Sequence, residues 1–398
     1  MSLANTATRY GSLARSLHWL TALLILSAIG LGLYGEDLPF DSSEALAAKA
    51  WIYSLHKTIG VAAFFVALLR ILWAITHPRP VPLHPERRLE NLLAETVHWS
   101  LYMAMLLMPL SGWVHHAAVD GFAPILWPFG QGLPFVPKSE AVATAATALH
   151  AVMSKVLIAS VLLHVLGAVK HAVIDRDVTL ARMVTGAEGG RPGATHPLAG
   201  ALAAVVIYAA GTAAVLALVP MPEAPQATAT APATAPAAGN WQVQQGTLGF
   251  SVRQMGAPVS GSLPNWTAEI SFDETPVAGK NGSVRVQIDT TSLTLGSVTD
   301  QAKGAEFFDT ATHPQALFTA DILPAATGYE AKGTLTLRGV TVPVTLPFTL
   351  QITGDTATMQ GSLTLDRRAF GMGASYGDES SVGFGVEVTV ELTAQRRG

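Results

Sequence analysis

The chain has 398 residues, 24 Lys and Arg against 28 Asp and Glu, no cysteine, 13% charged residues and a mean hydropathy of +0.37. The missing thiols exclude disulfides, zinc–thiolate sites, thiolate-held iron–sulfur clusters and c-type haem, and a net charge of −4 carries no nucleic-acid signature. So few charges on so apolar a chain point to a membrane protein, or to a chain with a membrane half, whose metal chemistry must use His, Met or carboxylates.

Five apolar stretches follow one another before residue 220: 16–34, 52–75, 97–114, 148–171 and 197–219. Each can cover a hydrocarbon core of about 30 Å at a rise of 1.5 Å per residue. The first follows Arg9 and Arg15, but its apolar run is too long for a signal peptide and no clear cleavage site follows, so it is expected to stay as a span. Basic residues gather before the first stretch, after the second (Arg79, Arg87, Arg88) and after the fourth (Lys170, Arg176, Arg182, Arg191). The positive-inside rule then predicts a cytoplasmic N-terminus and puts everything after the fifth span outside, in the periplasm of a Gram-negative source. Residues 1–190 are expected to form the membrane bundle, 191–220 the fifth helix, and 221–239 a Pro/Ala/Thr linker too poor in apolar residues to build a core.

From Trp241 the hydrophobic period changes to two. Val284, Val286 and Ile288 alternate with polar residues, as do Val344 to Ile352 and Val382 to Val390. Many such strands with Gly- and Pro-rich turns predict an antiparallel sandwich or barrel over 240–398.

Four histidines stand out in the membrane half. His18 falls near the cytoplasmic end of the first span and His56 near the outer end of the second; His150 and His164 share the fourth. The last two lie on nearly one helix face, about 21 Å apart along the axis. His56 is then level with His150, and His18 approximately level with His164. Two bis-His layers suit haem iron in a helical bundle, although spacing alone leaves a proton relay equally open.

The segments RSLHWL (15–20), LHKTIG with LLRILW (55–73), LYMAMLLMPLSGW (101–113) and LHAVMSKVLIASVLLHVLGAVKHAVIDRD (149–177) resemble the bacterial cytochrome b561 family over residues 9–183. The resemblance implies a four-helix membrane bundle holding two b-type haems, with ligand roles for His18, His56, His150 and His164. Depth pairs His56 with His150 at the outer haem and His18 with His164 at the inner one. Arg70 shares a helix face with His56 and is a candidate for a haem propionate or for snorkelling to the cytoplasmic surface. Lys57 could meet a propionate, a quinone oxygen or an incoming anion, or simply anchor the helix end. His98 and Trp99 are expected to be structural, and His115 and His116 interfacial, with proton transfer during quinol chemistry as the lesser alternative. His77, His84, His171 and His196 are expected to be solvated.

The second half resembles the YceI-like family of lipocalin-type barrels, which enclose a polyisoprenoid chain such as that of a quinone. GFSVRQMG (249–256), GSVRVQIDTTSL (282–293), AEFFDTATHPQALF (305–318), GTLTLRGVTVPVTLPFTL (333–350) and DRRAFGMG (366–373) carry this likeness. Phe250, Phe272, Phe307, Phe318, Phe348 and Phe384 are the candidate lumen residues. Gln254 stands where the family often has His, and VTDQAK at 298–303 replaces its usual R-D-x-H-L, so headgroup recognition is open to change.

The fold class expected is therefore an all-α membrane bundle with a fifth span, followed by an all-β antiparallel lipocalin-like barrel. The two resemblances together imply a membrane oxidoreductase exchanging electrons with quinone or quinol. Superoxide oxidation outside, coupled to ubiquinone reduction, is the preferred reaction. Quinol oxidation feeding a redox protein is the second, and a tethered lipid carrier or sensor the third. The lipid bilayer is a partner in all three.

Overall fold

The computed structural model describes residues 2–119, 123–190, 193, 196–218, 239–296 and 298–397. The predicted linker falls outside these except for its last residue, and Arg191 also lies outside them. The chain divides into two compact units, one made of 1–38, 51–119 and 124–222, the other of 39–50, 120–123 and 223–398.

The helical unit contains α1 (Ser12–Asp37), α2 (Ser43–Thr76) from Trp51 on, α3 (Arg88–Ala118), α4 (Glu140–Lys170), α5 (Thr179–Val184) and α6 (Ala199–Leu218). A single π-helical turn, His171–Asp175, extends α4. The first four of the long helices overrun the predicted apolar stretches by several residues, because their polar ends continue the same hydrogen-bonded helix past the apolar core. Among the described residues, four helices are long and apolar enough to cross a membrane: α1, α2, α4 with its π turn, and α6. The third predicted span lies inside α3, whose 31 residues give ample length but which is not among those four. His98, Trp99, Ser100, Tyr102, Pro109 and Ser111 dilute its hydropathy. Its polar residues Glu95 and Ser100 are instead buried within the unit, where helix α3 packs against α4 and α6.

That packing explains why α6 belongs with the bundle. Tyr208 of α6 is buried with Ala104, Met153 and Leu157, and Ile25 and Ile29 of α1 pack on the same cluster. The Tyr208 hydroxyl donates to the Ser100 carbonyl at 3.0 Å, so its polar tip is satisfied inside an apolar contact. Gly200 lets the two backbones touch; a Cβ there would lie 2.5 Å from Cβ of Glu95.

Just beyond the π turn, Asp177 ties the end of α4 to α5. Its carboxylate accepts from the Thr179 N–H at 2.8 Å and lies 2.7 Å from His171 Nδ1 and 3.1 Å from His84 Nε2. Burial pushes this carboxyl up, but hydrogen bonds from Thr179 and His171 outweigh that and hold it well below the usual carboxylate range. A depressed folded-state pKa means stabilisation that is complete above the unfolded value and shrinks as pH falls below about 4. The Tm gap between the wild type and Asp177→Asn in detergent should therefore narrow steadily on acidification. A gap that stays constant into strong acid refutes this account.

The β unit is a closed barrel. Strands β1 (Trp241–Gln254), β3 (Trp266–Val277), β4 (Lys280–Asp289), β5 (Gln315–Pro324), β6 (Tyr329–Leu337), β7 (Val340–Thr353), β8 (Thr356–Asp366) and β9 (Val382–Arg396) pair in that order, and β9 returns to β1. All are antiparallel, and β2 (Ala257–Ser262) folds back on β1 as a hairpin. Closure removes sheet edges and turns one residue in two inward. Gly333 is required by the close approach of β5 and β6, because a Cβ there would lie 1.9 Å from the Thr319 carbonyl oxygen. The helix α7 (Thr299–Lys303) is the VTDQAK segment, and it lies between β4 and β5.

Candidate functional site

In the helical unit the four singled-out histidines meet in two pairs. The rings of His56 and His150 have centroids 6.2 Å apart, and those of His18 and His164 are 6.0 Å apart. Two imidazoles on opposite sides of one metal, with metal–nitrogen bonds of about 2 Å, place their centroids roughly 6 Å apart. The ring orientation is fixed from behind. His56 Nδ1 lies 2.8 Å from the Ala28 carbonyl, and His150 Nδ1 lies 3.1 Å from both the Met108 carbonyl and Ser111 Oγ. With Nδ1 committed to a carbonyl, Nε2 is left as the lone-pair ligand, the arrangement that tunes metal-binding histidines. Gly32 and Gly112 make room for these rings: a Cβ would lie 3.1 Å from His56 Cε1 and 3.2 Å from His150 Cε1. The donor set and its spacing thus fit haem iron.

Arg70 points its Nη2 at His18 Nδ1, 3.3 Å away, with its guanidinium 5.3 Å from the Tyr102 ring centroid. It is held inside the bundle beside the inner pair. Lys57 Nζ lies 3.3 Å from His116 Nδ1, and His116 Nε2 is 2.9 Å from Gln131 Oε1. Gln131 is itself pinned by the Ile125 backbone, whose N–H donates to Oε1 at 2.7 Å.

Other histidines make contacts that the sequence did not single out. His98 was expected to be structural; its ring lies 5.1 Å from that of His164, and its Nδ1 is buried with no hydrogen-bond partner. His116 is buried at the end of α3. His84, His171 and His196 are not simply solvated. The first two stack with centroids 6.4 Å apart beside Asp177, and His196 pairs with Glu95 at 2.9 Å. Nothing in the local sequence signals the His84–His171 and His196–Glu95 pairings, because each joins residues far apart in the chain. Ligand atoms of Glu90, His171 and Asp175 lie within 4.8 Å of one another. However, Lys170 is 2.8 Å from Glu90 and 2.7 Å from Asp175, and Arg87 is 3.1 Å from Asp175. Those cations already neutralise the carboxylates, so the cluster is an ion-pair network.

In the barrel two cavities of about 180 and 160 Å³ share Leu248, Ile288, Leu335, Leu365 and Val388 as common wall. Together they make up the interior of the barrel, its lumen. Phe272, Phe318 and Phe348 line the larger cavity and Phe250 and Phe307 the smaller. Phe384 lines neither. Val252 faces Val386 while Gln254 faces Val382, so β9 carries extra residues between these pairs. Such a bulge re-aims side chains, and the Phe384 ring instead receives the guanidinium groups of Arg367 and Arg368, 5.1 and 3.9 Å from its centroid. Sequence reasoning limited to phenylalanine missed Trp241, Trp266 and Met359, which also line the lumen; inward parity along the strands marks them.

The family profile of prokaryotic cytochrome b561 matches residues 9–186, and that of the YceI-like domain matches residues 240–394. Cytochrome b561 homolog 2 of Escherichia coli K12 is 29% identical over 187 residues, covering 46% of this chain and 95% of the relative. The probable superoxide oxidase CybB of Yersinia pestis is 24% identical over 178 residues, covering 44% and 96%. The crystal structure of BcnA from Burkholderia cenocepacia is 34% identical with a TM-score of 0.35, covering 38% of this chain and 96% of that one. Residues 9–186 of the chain are therefore similar to prokaryotic cytochrome b561, and residues 240–394 to the YceI-like domain.

Proposed function

We propose that the helical unit holds two haems, one between His56 and His150 and one between His18 and His164, and exchanges electrons with quinone or quinol. The carrying observation is the pair of ring separations near 6 Å on four helix-borne imidazoles. Held between two histidines, each haem would supply one-electron transfer. Arg70 offsets the charge of a carboxylate beside the inner pair. Lys57, next to His56 in the chain, and His116, 3.3 Å from the Lys57 ammonium, hold exchangeable protons that reduction of a quinone needs.

The preferred donor is superoxide, the substrate class named for the Yersinia relative. Two superoxide anions lose one electron each and leave as dioxygen, while one quinone gains both electrons and two protons to become quinol. The Lys57 ammonium offers the positive approach that an anion needs. The barrel lumen, apolar along its larger cavity, is assigned to an isoprenoid-tailed lipid of the quinone type. The protein is placed in the bacterial inner membrane, with a cytoplasmic N-terminus and the barrel in the periplasm.

The test is quinol formation by the full chain in proteoliposomes under a superoxide-generating system. Quinol should accumulate and should vanish when superoxide dismutase is added. If none forms while an added short-chain quinol reduces the haems, electrons run from quinol to a redox partner instead. If neither donor changes the haem spectrum, the redox reading fails and a tethered lipid carrier or sensor remains.

A further inference from the structure

Residues 39–50, the connection between α1 and α2 with the first turns of α2, belong to the same compact unit as the barrel. Ser42 starts α2 there, its hydroxyl oxygen accepting from the Ala45 N–H at 3.2 Å. The Ser43 N–H has no acceptor inside the helix. It donates instead to the Ser375 carbonyl at 3.3 Å, and the Ser381 hydroxyl donates to the Ser43 carbonyl at 3.2 Å. The Tyr376 hydroxyl donates to the Phe40 carbonyl. Leu46 completes the contact: it is buried in one cluster with Tyr376 and Val382, and Val252 and Phe307 pack on that cluster. Val252, Phe307 and Val382 also line the smaller cavity. Gln301 lines it too, and its Nε2 donates at 2.9 Å to the same Tyr376 hydroxyl that holds Phe40. The receiving surface is itself tied down. Arg367 places five N–H bonds on the backbone carbonyls of Met372, Gly373, Tyr376, Val382 and Gly383, at 2.6–3.1 Å.

One part of this contact works against it. Ser43 Oγ is buried and, among the described residues, has no hydrogen-bond partner. A hydroxyl taken from water and left unpaired costs free energy, so the contact is weaker than its apolar packing alone would make it. We propose that residues 39–50 are a latch on the barrel: the lumen ligand is exchanged at the end formed by residues 372–383, and only when the latch is lifted. With the latch closed, Leu46 and Tyr376 back the wall of the smaller cavity, and Tyr376 fixes Gln301. With it lifted, Val382 and Phe307 lose the packing behind them and can part, while Arg367 keeps the barrel end itself in place. This inference rests on the assignment of an isoprenoid lipid to the lumen and specifies how that lipid is let in and out.

The chain has no cysteine, so a single pair can be introduced cleanly. Ser43→Cys with Ser375→Cys places the thiols where the two backbones already share a hydrogen bond, a short span for a disulfide. The full chain in nanodiscs is loaded with a farnesyl-tailed ubiquinone and chased with its deuterated copy, and native mass spectrometry follows the exchange. Leu335→Trp, which fills the wall shared by both cavities, gives the baseline for probe bound outside the lumen. Above that baseline, oxidising the pair should slow exchange by about tenfold or more, because a tethered segment returns faster than it can leave. Reducing the same sample should restore the rate, which separates the latch from a folding defect. Two variants should act in opposite directions. Leu46→Ala should speed exchange by about tenfold to a hundredfold, the worth of a buried leucine. Ser43→Ala, which removes the unpaired hydroxyl, should slow it by about fivefold. A pair that does not oxidise, or exchange at the same rate in the oxidised and reduced samples while Leu335→Trp still abolishes lumen binding, overturns the latch alone. Probe binding that Leu335→Trp does not reduce overturns the lumen assignment, and the latch falls with it.

Discussion

His150→Ala should halve the haem content of the purified chain. A pyridine haemochrome assay should fall from about two haems per chain to about one, because an iron held by a single imidazole loses an axial bond and gains a cavity at its side. The geometry makes this position unforgiving. His150 Nδ1 is committed to the Met108 carbonyl and Ser111 Oγ at 3.1 Å, and its ring packs so closely on the Gly112 backbone that a Cβ there would lie 3.2 Å from Cε1. No other imidazole can therefore take its place facing His56 without moving α3. The inner pair offers a sharper comparison. His98 lies closer to His164 than His18 does, 5.1 Å against 6.0 Å between ring centroids. His98→Ala should leave the haem count unchanged and His18→Ala should lower it by one. The reverse outcome would assign the inner layer to His98 and His164, and a colourless wild type would end the account.

The paired layers were legible because a helix converts sequence spacing into direction and depth. His150 and His164 sit 14 residues apart on one helix, as do His56 and Arg70, so faces and levels followed from 3.6 residues per turn. The structure indeed sets Arg70 beside His18. Strand parity was as informative in the barrel, where alternating residues of β4, β7 and β9 line the lumen. What stayed hidden were contacts that no period encodes. The chain Lys57–His116–Gln131 joins α2, α3 and the loop after α3. His84 meets Asp177 across 93 residues. Phe384 obeys the right parity by count, yet a two-residue bulge in the pairing with β1 turns it away. A period-two reading assumes an unbroken ladder and cannot see the break.

The motif DRRAFGMG was informative as a family mark, and its physical reason lies in Arg367. Asp366 accepts from the Arg368 N–H and starts a short 3-10 turn, which turns Arg367 back under the segment between β8 and β9. There its guanidinium satisfies five carbonyls and closes the barrel end. Arg367→Met keeps much of the side-chain volume but strips every one of those donors. Each buried carbonyl left unpaired costs roughly 1–3 kcal/mol, so the loss should be on the order of 4 kcal/mol or more, a size reserved for the collapse of a buried polar network. Arg367→Lys should recover less than half of it, since an ammonium is a point donor and cannot span a fork of carbonyls. Pulse proteolysis of the full chain across a urea series, with fragments from 240–398 followed separately, measures the barrel transition. Haem content serves as the internal control, because every proposed ligand lies outside the barrel and should stay loaded. A Met variant whose barrel resists proteolysis like the wild type would mean that the 372–383 segment is held by its own backbone turns, and that Arg367 is free to face a ligand.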